Sequence, residues 1–62
     1  MNLGDKIRKA RTDKGITQEA LAREVGITVS TIYKIEKNKM NPTFSVTSKI
    51  AKALEISLDD LT

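Results

Sequence analysis

Residues 17–36, TQEALAREVGITVSTIYKIE, decide the fold of this 62-residue chain. Apolar side chains recur at the helical period up to Gly26, and isoleucines recur at the same period after it. Thr17 and Thr28 stand at the start of the two segments, where a threonine hydroxyl caps a helix. Gly26 between them can adopt the positive φ that a sharp reversal needs. The stretch therefore predicts two short amphipathic helices joined by a tight turn.

The rest of the chain predicts three more helical segments. The first runs from about Leu3 to Lys14, with Asn2 as its cap. Another runs from the cap Thr43 to about Leu54, and a capping-box sequence at Ser57–Asp60 opens a last turn. We expect one all-α domain over residues 1–62, built from five short helices. The apolar residues expected in its core are Leu3, Ile7, Ala10, Leu21, Ala22, Val25, Ile32, Ile35, Phe44, Val46, Ile50, Ala51, Leu54, Ile56, Leu58 and Leu61.

Composition excludes several classes of function. The chain has no cysteine and no histidine, which removes disulfides, thiolate metal sites and imidazole chemistry. No glycine-rich phosphate loop or positioned base is recognisable, so we expect no enzyme activity, no cofactor and no small-molecule substrate. No apolar run approaches the roughly 18 residues of a membrane span, and no secretion signal is present. We therefore expect a cytoplasmic, nucleoid-associated protein without a membrane partner.

Charge is distributed unevenly along the chain. Residues 1–54 contain all eleven lysines and arginines and five acidic residues, a net charge of +6, whereas residues 55–62 carry −3. A basic body of this kind attracts a polyanion. The alternative for any single lysine is that it only solvates an exposed helix face.

The helix that follows Gly26 presents a polar face. Rotation of about 100° per residue places Ser30, Tyr33, Lys34 and Lys37 opposite its isoleucines. An α-helix of this size fits the major groove of B-DNA, where each base pair shows a distinct pattern of donors and acceptors. The pattern therefore predicts binding to double-stranded DNA. Val29 lies at the edge of this face, either as a contact for a thymine methyl group or as an ordinary surface residue.

Taken together, these segments resemble the phage-repressor and Cro-type helix-turn-helix family, also described as XRE-like or lambda-repressor-like. The resemblance rests on TQEALA at 17–22, Gly26, Ile35-Glu36, NPT at 41–43, KIAKAL at 49–54 and SLDDL at 57–61. It implies a compact lambda-repressor-like fold with its helix-turn-helix at about 17–37. The implied function is sequence-specific transcriptional regulation, with repression as the expected outcome. The implied partners are a palindromic operator and a second copy of the chain, at least on DNA.

The resemblance also implies roles for individual residues. The expected DNA contacts are Thr17, Gln18, Thr28, Val29, Ser30, Thr31, Tyr33, Lys34, Lys37, Lys39 and Asn41. Gln18 matches a residue that bonds a phosphate and braces the recognition helix, with plain solvent exposure as the alternative. Lys34 could reach guanine or a phosphate, and Tyr33 a sugar or a phosphate. Arg11 and Glu36 match a structural ion pair between the first and third helices.

Two positions depart from the family pattern. Asn38 stands where glycine is most common, and asparagine tolerates the left-handed conformation expected there. Thr47 and Ser48 stand where leucines are common, so we expect a smaller core.

A second class of function is a protein-interaction module on the same fold, such as an antitoxin or adaptor. Its partner would bind the groove around Val29, Tyr33 and Met40. The positive charges of Lys34, Lys37 and Lys39 favour DNA instead.

Overall fold

The computed structural model describes residues 2–61 and contains, within that range, four α-helices and one 3-10 turn. The helices are α1 (Leu3–Lys14), α2 (Gln18–Val25), α3 (Val29–Glu36) and α4 (Phe44–Leu54), and the turn is Leu58–Leu61. All four helices match the predicted bounds. The prediction of a fifth helix is wrong, because its four residues form a single turn in which the Asp60 carboxylate accepts from the Ser57 N–H at 3.1 Å.

Threonine caps begin three of the helices, as predicted. The hydroxyls of Thr17, Thr28 and Thr43 each accept a hydrogen bond from the backbone N–H three residues later, at 3.0, 3.2 and 3.2 Å. These bonds satisfy N–H groups that have no partner inside the helix. Gly26 ends α2 with φ 85°, which gives the sharp turn toward α3.

The start of α1 differs from the prediction. Asn2 makes no side-chain capping bond. Instead the Asn38 side chain, which follows α3, accepts from the Gly4 N–H at 3.0 Å and donates to the Asp5 carboxylate at 3.3 Å. Asn38 has the expected left-handed conformation, with φ 61°. A β-carbon on Gly4 would lie 2.2 Å from the Ile35 carbonyl oxygen, so glycine permits this close approach of α1 and α3.

One apolar core joins the elements. Helix α2 packs on both α3 and α4, while α1 contacts α3, α4 and the final turn. The buried apolar residues are Ile7, Leu21, Ala22, Val25, Ile32, Ile35, Ile50, Ala51, Leu54 and Leu61. The other expected core residues, Phe44 excepted, pack against this cluster and are partly buried.

Phe44 is the core prediction that is wrong, since it is 74% exposed. Helical rotation places Phe44 on roughly the same side as the buried Ala51, but at the first position of α4 its side chain lies outside the core cluster. Thr47 is buried, and its hydroxyl donates to the Thr43 carbonyl at 2.9 Å. Within residues 2–61, no helix is long and apolar enough to cross a membrane.

Candidate nucleic-acid interface

Helix α3 separates a buried face from an exposed one. Ile32 and Ile35 are at most 1% exposed, whereas Val29 is 41% and Tyr33 48% exposed. Ser30, Lys34 and Lys37 are also exposed. We define the exposed face of α3 as residues 29, 30, 33, 34 and 37. Five of the predicted DNA contacts thus lie on one solvent-facing surface, with the isoleucines packed in the core on the other side, whereas Thr31 is half-buried.

The two threonines at the start of α3 are engaged with each other. The Thr28 hydroxyl accepts from the Thr31 N–H, and the two hydroxyl oxygens lie 2.9 Å apart. Within residues 2–61, neither the Ser30 side chain nor the Lys34 side chain makes a hydrogen bond or an ion pair. The polar groups that are open to an incoming ligand on this face therefore belong mainly to Ser30, Tyr33 and Lys34.

Lysine side chains are also present directly after the end of α3. The Lys37 ammonium lies 5.7 Å from the centroid of the Tyr33 ring, within the range of a cation–π contact. Lys39 and Asn41 are exposed in the connection to α4. These side chains extend the basic surface from α3 into the following loop, where the resemblance implied contacts with DNA.

A buried ion pair fixes α3 against α1. Arg11 Nε donates to Glu36 Oε2 at 2.7 Å, and Arg11 Nη2 donates to Glu36 Oε1 at 3.0 Å. The Arg11 side chain is 12% exposed and that of Glu36 only 2%. Arg11 Nη1 also donates to the Ile16 carbonyl at 2.8 Å, in the connection between α1 and α2. This bidentate arrangement has the planar geometry that arginine offers a carboxylate, and it joins the two residues that the resemblance paired.

Gln18 joins this ion pair from the start of α2. Its Nε2 donates to Glu36 Oε1 at 3.1 Å, which links the start of α2 to the end of α3. The amide has a second N–H, which leaves a donor for a ligand at the surface. Thr17 is exposed beside it, with its hydroxyl used as the cap of α2.

A cleft of about 430 Å³ opens between α1 and α3. Its lining residues are Asp5, Arg8, Arg11, Gln18, Glu36, Lys37 and Asn38. Arg8 is the residue here that the sequence reasoning missed. The available signal was its position one helical turn before Arg11, which places both arginines on the same side of α1.

Comparison with known proteins gives a consistent result. The Helix-turn-helix family model HTH_3 matches residues 7–61. An uncharacterized HTH-type transcriptional regulator of Archaeoglobus fulgidus is 41% identical over 56 residues, which cover 90% of this chain and 80% of that protein.

Two repressors are also similar. The crystal structure of the P22 c2 repressor protein in complex with a synthetic operator superposes with a TM-score of 0.92 at 31% identity, covering 98% of this chain and 92% of that one. The cryptic phage CTXphi transcriptional repressor RstR of Vibrio cholerae is 36% identical over 61 residues, which are 98% of this chain and 54% of RstR.

Proposed function

The chain belongs to the HTH_3 family of helix-turn-helix transcriptional regulators, which are DNA-binding and non-enzymatic, and on this premise we propose that it reads a specific operator with α3 in the major groove. The observation that carries the proposal is the two-sided character of α3. Its isoleucines are buried in the core while its polar residues face solvent. The likeness to the P22 c2 repressor, whose structure contains operator DNA, supports the same docking.

Different parts of the surface have different roles in this proposal. The side chains of Ser30, Tyr33 and Lys34 meet base edges or the adjoining backbone, and Val29 packs against a thymine methyl group. Thr28 and Thr31 shape the start of the reading helix. Contacts with phosphates, which set register and supply much of the affinity, come from Thr17, Gln18, Lys37, Lys39 and Asn41.

The regulatory outcome that we propose is repression. Two copies bind a palindromic operator with half-sites about one helical turn apart, and they act on DNA in the cytoplasm by occupying a promoter. Support comes from the similarity to two repressors, RstR and P22 c2.

The test is selection of binding sites from randomised duplex DNA, followed by titration of variants on the selected duplex. We expect Lys34→Ala to lower affinity by about 5–150-fold if the lysine contacts a base, with relaxed preference at one base pair. If it contacts a phosphate, we expect the slope of affinity against salt to fall by about one, with base preference unchanged. Lys49→Ala is the matched control, since Lys49 is an exposed lysine on α4 whose neighbours in its cleft include no residue of α3.

A folded wild-type protein that selects no sequence and binds no duplex at low salt would contradict the proposal. That result would favour the protein-interaction module, whose surface would then be the apolar residues exposed near α3, Val29, Tyr33 and Met40.

A further inference from the structure

Building on the proposed function, we infer that the cleft between α1 and α3 holds a DNA backbone phosphate that flanks the bases read by α3. The cations of this phosphate site are Arg8 and Lys37. Arg8 lies on α1, outside the helix-turn-helix itself, so the inference extends the DNA-binding surface to a helix that sequence reasoning assigned to structure alone.

Position is the first argument for the site. The cleft is bordered by Lys37, directly after α3, and by Gln18, the first residue of α2. Both residues belong to the proposed interface. A duplex whose major groove holds α3 therefore brings its backbone to the mouth of this cleft, and Arg8 lies on the α1 side of it.

Charge is the second argument. Five ionised residues line the cleft, and three of them are cations, so its net charge is +1. Arg11 and Glu36 neutralise each other and are buried. Arg8 is exposed, and its side chain makes no hydrogen bond or ion pair with any residue from 2 to 61. A phosphodiester carries one negative charge, which matches the charge that the cleft leaves unbalanced.

One hydrogen-bond donor at the cleft, the Gln18 amide, is oriented before any ligand arrives. Gln18 is held by its bond to Glu36 and keeps one amide N–H available. Arg8 offers the fork of guanidinium donors that suits two phosphate oxygens. Lys37 adds a point charge from the end of α3. The Arg11–Glu36 pair links α1 to α3 and so holds the two walls of the cleft together.

A second cleft on the molecule has the same net charge, so net charge alone does not identify the phosphate site. It has a volume of about 740 Å³ and is lined by Lys14, Glu24, Val25, Lys49, Lys52, Ala53 and Glu55. Its net charge is also +1, but none of its residues belongs to α3 or to the following loop. Lys49 in this second cleft is therefore a matched control for Arg8, since removing either changes the total charge equally.

The experiment compares Arg8→Gln, Arg8→Lys and Lys49→Gln with the wild-type protein on a duplex that the wild type selects from random sequence. Affinity is measured between 50 and 200 mM salt. Loss of one phosphate contact lowers the salt slope by about 0.9 for each bound copy of the chain, which corresponds to an affinity loss of about eight-fold per copy at 0.1 M. We expect this change for Arg8→Gln, a near wild-type slope for Arg8→Lys, and less than a two-fold effect for Lys49→Gln.

A second measurement locates the phosphate. Each backbone phosphate that flanks the selected site is replaced in turn by an uncharged methylphosphonate. We expect one such linkage to weaken binding by wild-type protein about eight-fold while weakening binding by Arg8→Gln by less than two-fold, since that variant has already lost the contact.

The outcomes separate the inference from the function on which it rests. If wild-type protein selects a duplex but Arg8→Gln keeps the wild-type salt slope, the phosphate site is wrong and the proposed function stands. An equal loss of slope in Lys49→Gln also overturns the site, because it would report total charge only. If wild-type protein selects no duplex, both are wrong. Urea unfolding of each variant checks that the fold is retained.

Discussion

Removing either member of the Arg11–Glu36 pair is expected to be among the most damaging single changes in the chain. We consider Arg11→Met and Glu36→Gln, two substitutions that keep much of the side-chain length while deleting one charge. Each leaves the other charge without its partner in a largely dry site. The loss from breaking a buried pair in this way is about 3–5 kcal/mol.

Burial and hydrogen bonding decide which of the two variants loses more free energy of unfolding. Arg11→Met leaves a carboxylate that is 2% exposed with Gln18 as its remaining side-chain donor, so we expect a loss near 5 kcal/mol. Glu36→Gln leaves a guanidinium that is 12% exposed and still bonded to the Ile16 carbonyl, so we expect a loss near 3 kcal/mol. A domain of 62 residues has a total stability of about 3–9 kcal/mol. Either change therefore removes a large part of it.

The assay is urea unfolding followed by circular dichroism, with sucrose added for variants that are partly unfolded in buffer. The double variant Arg11→Met/Glu36→Gln completes the cycle. Because it removes both charges together, we expect it to be more stable than Arg11→Met by at least 2 kcal/mol. A loss below 1 kcal/mol for Arg11→Met would refute the reasoning, since that is the range of exposed ion pairs.

Three further predictions concern other contacts. Gly4→Ala forces a β-carbon against the Ile35 carbonyl and should lower the free energy of unfolding by about 2–3 kcal/mol in urea. Asn38→Ala should lower the free energy of unfolding by about 2 kcal/mol, because it loses the hydrogen bond with Gly4 and places alanine in a left-handed conformation. Asn38→Gly should lower it by only about 1 kcal/mol, because glycine adopts that conformation without strain. Equal losses for the two variants would show that the left-handed conformation has no cost. Phe44→Ser should change the free energy of unfolding by less than about 0.5 kcal/mol. The buried control Ile50→Ala should lower it by about 2–5 kcal/mol, with both variants measured by thermal unfolding.

Local chemistry made most of the fold predictable. A threonine cap and a glycine terminator act within one turn of chain, so the bounds of α2 followed directly from Thr17 and Gly26. The Arg11–Glu36 pair spans 25 residues and was reached only through resemblance to known helix-turn-helix domains. Helical periodicity along α3 places Glu36 beside the buried face, but it does not identify a partner on another helix.

The remaining features depend on distances between elements, which periodicity does not contain. Rotation along α4 gives the direction of Phe44, but the extent of the neighbouring helices decides whether a side chain in that direction meets protein or water. The hydrogen bond between Gly4 and Asn38 joins residues 34 positions apart. The sequence around α1 therefore indicates only Asn2 as a cap for this helix. Arg8 was overlooked because its relevance comes from the cleft that α1 forms with α3.

The division of α3 into an inward and an outward side has a consequence for engineering. Ser30, Tyr33 and Lys34 are solvent-exposed, while the caps, the isoleucines and Glu36 hold the helix in place. A library that randomises positions 30, 33 and 34 with helix-compatible residues should consequently yield members that fold as readily as the parent. Retargeting the domain to a new operator would then require a search over only these three amino-acid positions.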